Sequence, residues 1–181
     1  MRETVTVWSG TVRAGHWALA GCVLVCLWFY EGGAWHEWLG RVALLLASWR
    51  ATVGWLTLEP QLSFANFVRG PAATFAHARA LFSGKRPRYL GHNPLGGWMI
   101  VALLAAAVLA GVSGMAYVME DYWGDPLLRA VHQIAGWSFV VLVPLHVGGV
   151  VLTSILQREN LIAAMFTGRK RAPGPGETRA D

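Results

Sequence analysis

Six histidines occur in this chain of 181 residues. Four of them, His16, His36, His132 and His146, fall within or at the ends of apolar runs, while His77 and His92 lie in a basic linker. An imidazole placed in hydrocarbon needs a polar partner, so an ionisable side chain there marks a functional position. His132 and His146 are 14 residues apart. That is close to four helical turns, so they share a face and stand about 21 Å apart along the axis. His36 opens its run at the same level as His132. His16 precedes Tyr30, the far end of its own run, by 14 residues, again about 21 Å and level with His146. Two pairs of imidazoles at two depths make two bis-histidine sites inside a bundle, the coordination that haem iron accepts. Four rings spread over two depths cannot converge on one tetrahedral zinc. A proton relay would recruit Asp or Glu within the runs, and no run interior has either.

The neighbours of these histidines fit the same chemistry. Gly15, Gly40, Gly136 and Gly149 lie beside or within one turn of a candidate ligand, where a porphyrin needs room that glycine leaves. Close packing of membrane helices through small residues is the competing explanation. Arg50 follows His36 by 14 residues, so it reaches the inner pair's depth, where a guanidinium can clamp a haem propionate by two parallel bonds. Arg41 can serve the outer site in the same way, or extend to lipid headgroups. Pro144 stands two residues before His146 and is expected to disturb the helical ladder near Val140 and re-aim the ligand.

Composition says what holds these residues. Hydrophobic residues make up 55% of the chain and charged ones only 14%, against about 25% charged in soluble domains. Ten tryptophans supply interfacial anchors, and lipid is the expected solvent. A transmembrane helix needs about 20 mostly apolar residues. Charge-free stretches run from Ala14 to Tyr30, Tyr89 to Met119 and Ala130 to Gln157, the second of these trimmed by the turn Gly91-His92-Asn93-Pro94. A further stretch, Trp38 to Leu58, is interrupted by Arg41 and Arg50. The expected fold is therefore all-α, an integral membrane four-helix up-down bundle. Residues 1–166 form one four-span domain, followed by a flexible tail over 167–181.

Cys22 and Cys26 are four apart on one helix face, where a mutual disulfide would be strained. No Cys-x-x-Cys-His is present, which excludes covalent c-type haem attachment. The first apolar run lacks a small-residue cleavage site and is expected to be retained as a span.

Basic residues orient the bundle. They concentrate in the head (Arg2, Arg13), in the linker (Arg69, Arg79, Lys85, Arg86, Arg88) and in the tail (Arg158, Arg169, Lys170, Arg171, Arg179). The loops around Glu31 and Glu37, and around Glu120, Asp121 and Asp125, are acidic. Both termini and the linker are thus expected on the cytoplasmic side of the membrane. The net charge of +5 is a topology signal, and nucleic acid is not needed to explain it. In the linker, Phe64, Phe67, Phe75, Leu81 and Phe82 alternate with cations, as in a helix lying among headgroups.

Several segments are similar to the prokaryotic cytochrome b561 family, in its branch of nickel-iron hydrogenase-type b-type cytochromes. They are Val12-Arg13-Ala-Gly-His16-Trp17, Arg50-Ala-Thr-Val-Gly54-Trp55, Ser63-Phe-Ala-Asn-Phe67-Val68-Arg-Gly-Pro71 and Tyr89-Leu-Gly-His-Asn-Pro-Leu-Gly-Gly-Trp98-Met99. The resemblance implies two non-covalent haems b, with His16, His36, His132 and His146 as axial ligands, and electron exchange with quinone. It implies an outer redox partner, either a c-type cytochrome or a hydrogenase; a homodimer is compatible with it. Two axial imidazoles saturate each iron, so such haems carry electrons rather than bind substrate. Three other readings compete. One is a membrane anchor subunit without a cofactor, another a quinone reductase fed by a small reductant such as superoxide, and the third a transporter. A transporter would need polar residues at mid-depth, where the third span offers only Ser113 and glycines.

Overall fold

The computed structural model describes residues 3–59, 61–83 and 89–172. In chain order the elements are β1 (Thr4–Thr6), α1 (Gly10–Trp28), α2 (Ala34–Leu56), α3 (Phe64–Phe67), α4 (Pro71–Phe82), α5 (Pro94–Tyr117), α6 (Pro126–Gln157), α7 (Leu161–Thr167) and β2 (Arg169–Arg171), with a 3-10 turn at Glu120–Tyr122. Local chemistry sets most boundaries. Asn93 and Asp125 each precede a proline that opens a helix, and each carboxyl or amide oxygen accepts from the third helical N–H. Those bonds are Gly96 N to Asn93 Oδ1 at 2.7 Å and Leu128 N to Asp125 Oδ1 at 2.8 Å. Asn160 caps α7 in the same manner through Ala163 N. Gly32 and Gly33, at φ 99° and 97°, make the left-handed turn between α1 and α2 that a side chain would resist.

Among the described residues, three helices are long and apolar enough to cross a membrane: α1, α5 and α6. The fourth long helix, α2, has 23 residues, about 35 Å at helical rise. Its length suffices, but Glu37, Arg41 and Arg50 dilute it below the composition of the other three. α6 runs unbroken through Pro144. The disturbance expected near Val140 therefore does not end the helix; the proline only withholds one N–H from the ladder.

The chain forms two compact units. One comprises Met1–Arg13, Val53–Ile100 and Leu145–Asp181, the other Ala14–Thr52 and Val101–Pro144. In the second unit, Gly15 meets Trp49 and Cys26 meets His36, so α1 and α2 run antiparallel there. A Cβ on Gly111 would stand 2.7 Å from the Leu44 Cβ, so α5 approaches α2 closely only because that position is glycine. Ala43, Ala47, Ala106, Ala107 and Ala135 are buried here with Leu104 and Phe139. Small residues let backbones approach where lipid offers no hydrophobic drive.

In the first unit the chain ends are tied together. β1 and β2 pair antiparallel, with Thr4 opposite Arg171, Val5 opposite Lys170 and Thr6 opposite Arg169. Val7 N and Trp8 N both donate to Gly168 O, at 2.8 and 3.1 Å, and the Arg13 guanidinium donates to the Phe166 carbonyl. Residues 169–171, expected within a flexible tail, are thus a paired strand. Residues 173–181 lie outside the described residues, as do the linker cations Lys85, Arg86 and Arg88. The linker supplies α3 and α4, the helices its alternation of aromatic and basic residues suggested.

Candidate functional site

His36 lies in the first turn of α2. The last four carbonyls of a helix lack an intrahelical partner, and Cys26 is among those four in α1. Its carbonyl accepts from His36 Nδ1 at 3.1 Å. In return the Cys26 thiol reaches the His36 backbone carbonyl at 3.6 Å. The short α1–α2 turn places a ligand-type side chain opposite a carbonyl that needs a donor.

His132 is held differently. Its Nδ1 donates to the carbonyl of Ala110 in α5 at 2.8 Å. The ring lies so close to the α5 backbone that a Cβ on Gly114 would sit 2.9 Å from both Cε1 and Nδ1. Only glycine permits that approach. Ser113, 3% exposed, adds its hydroxyl at the same turn, donating to Leu109 O at 2.5 Å and Ala110 O at 3.2 Å.

The two rings meet edge to face, with centroids 5.8 Å apart and planes at 69°. A carbonyl can only accept, so each Nδ1 carries a proton, and in the neutral ring this tautomer leaves the lone pair on Nε2. This is how metal-bound histidines are generally held, with the second ring nitrogen donating to a carbonyl that fixes tautomer and orientation. Gly40 and Gly136, one turn beyond the two histidines, have no atom within 4 Å of a would-be Cβ. The donor set and the open space beside it fit a haem at His36 and His132.

The other expected site residues are placed less decisively. His16 belongs to the same unit as the outer pair and packs edge-on to Trp17 at 4.9 Å. His146 falls in the first unit. Gly15 leaves no room for a macrocycle, because a Cβ there would be 2.9 Å from the Trp49 ring; it serves helix packing instead. Arg41 is engaged on its own helix, by Glu37 at 3.1 Å and by the Trp38 ring at 5.8 Å. Arg50 is half-buried, with its Nη1 enclosed. In the first unit, the His92 ring lies between Trp8 at 4.6 Å and Phe67 at 4.9 Å. Lys170 donates to the carbonyls of Leu90 and Gly91 at 2.7 and 3.3 Å.

Sequence reasoning missed Cys26, Ala110 and Gly114 as parts of the site, since two of them act through backbone carbonyls and the third through a missing side chain. The one available signal was Gly111 and Gly114 three apart beside Ser113 in an otherwise apolar span.

Three helices apolar enough to cross a membrane, and two imidazoles brought together among the long helices with their Nδ1 atoms held by carbonyls, fit the class of membrane cytochromes. A sequence model of the prokaryotic cytochrome b561 family matches residues 7–168, and the chain belongs to that family. It is a b-type cytochrome of electron transport, as the motifs around His16 and Gly91-His92-Asn93-Pro94 implied. A relative from Rhizobium leguminosarum bv. viciae, named as a probable Ni/Fe-hydrogenase B-type cytochrome subunit, is 23% identical over 177 residues. The alignment covers 86% of this chain and 60% of the relative, so the chain spans less than two thirds of that protein's length. No solved structure matches the chain.

Proposed function

We propose that the chain carries two haems b across a bacterial inner membrane and passes electrons between quinone and a redox protein on the outer side. The observation that carries this reading is the edge-to-face pair His36–His132, with both Nδ1 protons committed to carbonyls. The second haem is assigned to His16 and His146, and that assignment rests on their sequence register alone. Haem iron held by two imidazoles supplies one-electron transfer, since no coordination position remains open.

The chain's own contribution is to hold the imidazoles. The Cys26 and Ala110 carbonyls fix both tautomers and raise the basicity of the coordinating nitrogens. Arg50, and secondarily Arg41, are the cations available to haem propionates. In this reading α2 is a fourth crossing, and both termini face the cytoplasm, following the basic head, linker and tail. Trp35, Trp38, Tyr122 and Trp123 are exposed around the acidic turns, as interfacial aromatic anchors are. Glu31, Glu120, Asp121 and Asp125 give those turns a negative face suited to a basic redox partner. The name of the Rhizobium relative favours a hydrogenase over a c-type cytochrome.

The test is a pyridine haemochrome assay on the purified protein and on two variants. Two protohaems per chain are expected, with His36→Ala and His146→Ala each losing one. A colourless protein, or equal loss of both haems in each variant, overturns the reading.

A further inference from the structure

The third span contributes no imidazole, yet the turn from Leu109 to Gly114 on α5 meets one directly. We propose that Gly114 and Ser113 are positioning residues for the outer haem: Gly114 lets His132 reach the Ala110 carbonyl, and Ser113 sets how strongly that carbonyl holds it. This inference rests on the reading of His132 as a haem ligand.

The Ala110 carbonyl is a crowded acceptor. As part of a helical ladder it serves the N–H of the residue four later, which is Gly114. It also accepts from His132 Nδ1 at 2.8 Å and from Ser113 Oγ at 3.2 Å. An oxygen has two lone pairs, so these donors compete. The Ser113 hydroxyl has one proton, divided between Leu109 O at 2.5 Å and Ala110 O. Whatever share goes to Ala110 weakens the pull of that carbonyl on the His132 N–H.

A weaker pull makes the imidazole a poorer electron donor to its iron. The two residues therefore act in opposite directions. Removing the Ser113 hydroxyl strengthens the His132 bond, favours the oxidised iron and lowers the potential. Adding a methyl at 114 forces the ring away, because its Cβ would overlap Cε1 and Nδ1 at 2.9 Å. The bond to Ala110 is then lost, and the potential rises or the haem is released.

The experiment compares Ser113→Ala, Ser113→Thr and Gly114→Ala in the full haem-loaded chain. The two haems are resolved by redox titration and by their low-temperature electron paramagnetic resonance, with His132→Ala as reference. Ser113→Ala is expected to shift the oxidised-to-reduced ratio of one haem at fixed potential by up to about tenfold, equivalent to 59 mV for one electron. The shift is negative, the other haem is unmoved, and Ser113→Thr stays near the parent. Gly114→Ala is expected to move the resonance of the same haem and to weaken its retention by about 10- to 100-fold. If His132→Ala keeps two haems per chain, the ligand reading itself falls. If His132→Ala loses one haem, but Ser113→Ala leaves both potentials in place or shifts them equally, the inference about span three is overturned on its own. Should Gly114→Ala fail to assemble, the Ser113 pair still decides.

Discussion

His77 on α4 is the clearest place to test how burial is balanced in the linker between α2 and α5. It is 4% exposed, and its ring packs edge-on against Tyr89 at 5.2 Å. Among the described residues neither ring nitrogen has a hydrogen-bond partner. A neutral imidazole thus buries one donor and one acceptor, each costing about 1–3 kcal/mol when unsatisfied. Replacing it by Phe keeps the ring contact and removes both costs, at some loss from imperfect fit. The expected net gain is about 1–2 kcal/mol, or roughly 5 °C in Tm for a chain of this size. Burial also pushes the His77 pKa below its ordinary 6.5. The folded ring then stays neutral at a pH where the unfolded one has taken up a proton. The parent therefore loses stability as pH falls from about 6.5 towards the lowered value, and the variant does not. Thermal unfolding in detergent at pH 7.5 and 5.5, followed for parent, His77→Phe and His77→Leu, reads the difference while other titrating groups cancel. The advantage of the variants should widen at pH 5.5. Variants less stable than the parent at pH 7.5, by an amount independent of pH, would show that His77 has a polar partner and refute the reasoning.

Three other substitutions test the packing that positions the site. Gly111→Ala places a Cβ 2.7 Å from the Leu44 Cβ and should cost about 1–3 kcal/mol as overpacking, seen as a lower Tm with the haem ratio unchanged. Asn93→Ala removes the cap on α5 and should cost about 1 kcal/mol, restored by Asn93→Asp or Asn93→Ser. Lys170→Met deprives the Leu90 and Gly91 carbonyls of their ammonium donor and should cost about 1.5–3 kcal/mol, with faster proteolysis near the C-terminus as the direct reading.

Much of the helical framework was legible from local chemistry. Gly91-His92-Asn93-Pro94 announces the turn before α5, and the apolar runs lie within a few residues of α1, α5 and α6. The helix over Trp38–Leu58 was legible in length, but its arginines left its crossing in doubt. Linker helices followed from the aromatic and basic alternation. The pairing of residues 169–171 with 4–6 was not legible, because a strand of three residues carries no periodicity and its partner lies at the other end of the chain.

The same contrast holds at the site. Residue type, helical spacing and hydropathy are local properties, so the chain alone determined which imidazoles are candidates, that His36 and His132 stand at one level, and that the helices carrying them suit lipid. Only the tertiary structure decided which carbonyls hold their Nδ1 protons, that Gly114 makes way for His132 while Gly15 makes way for Trp49, and that Arg41 turns to Glu37. Those outcomes depend on the distance between backbones of different helices, and a single helix's sequence does not encode that distance.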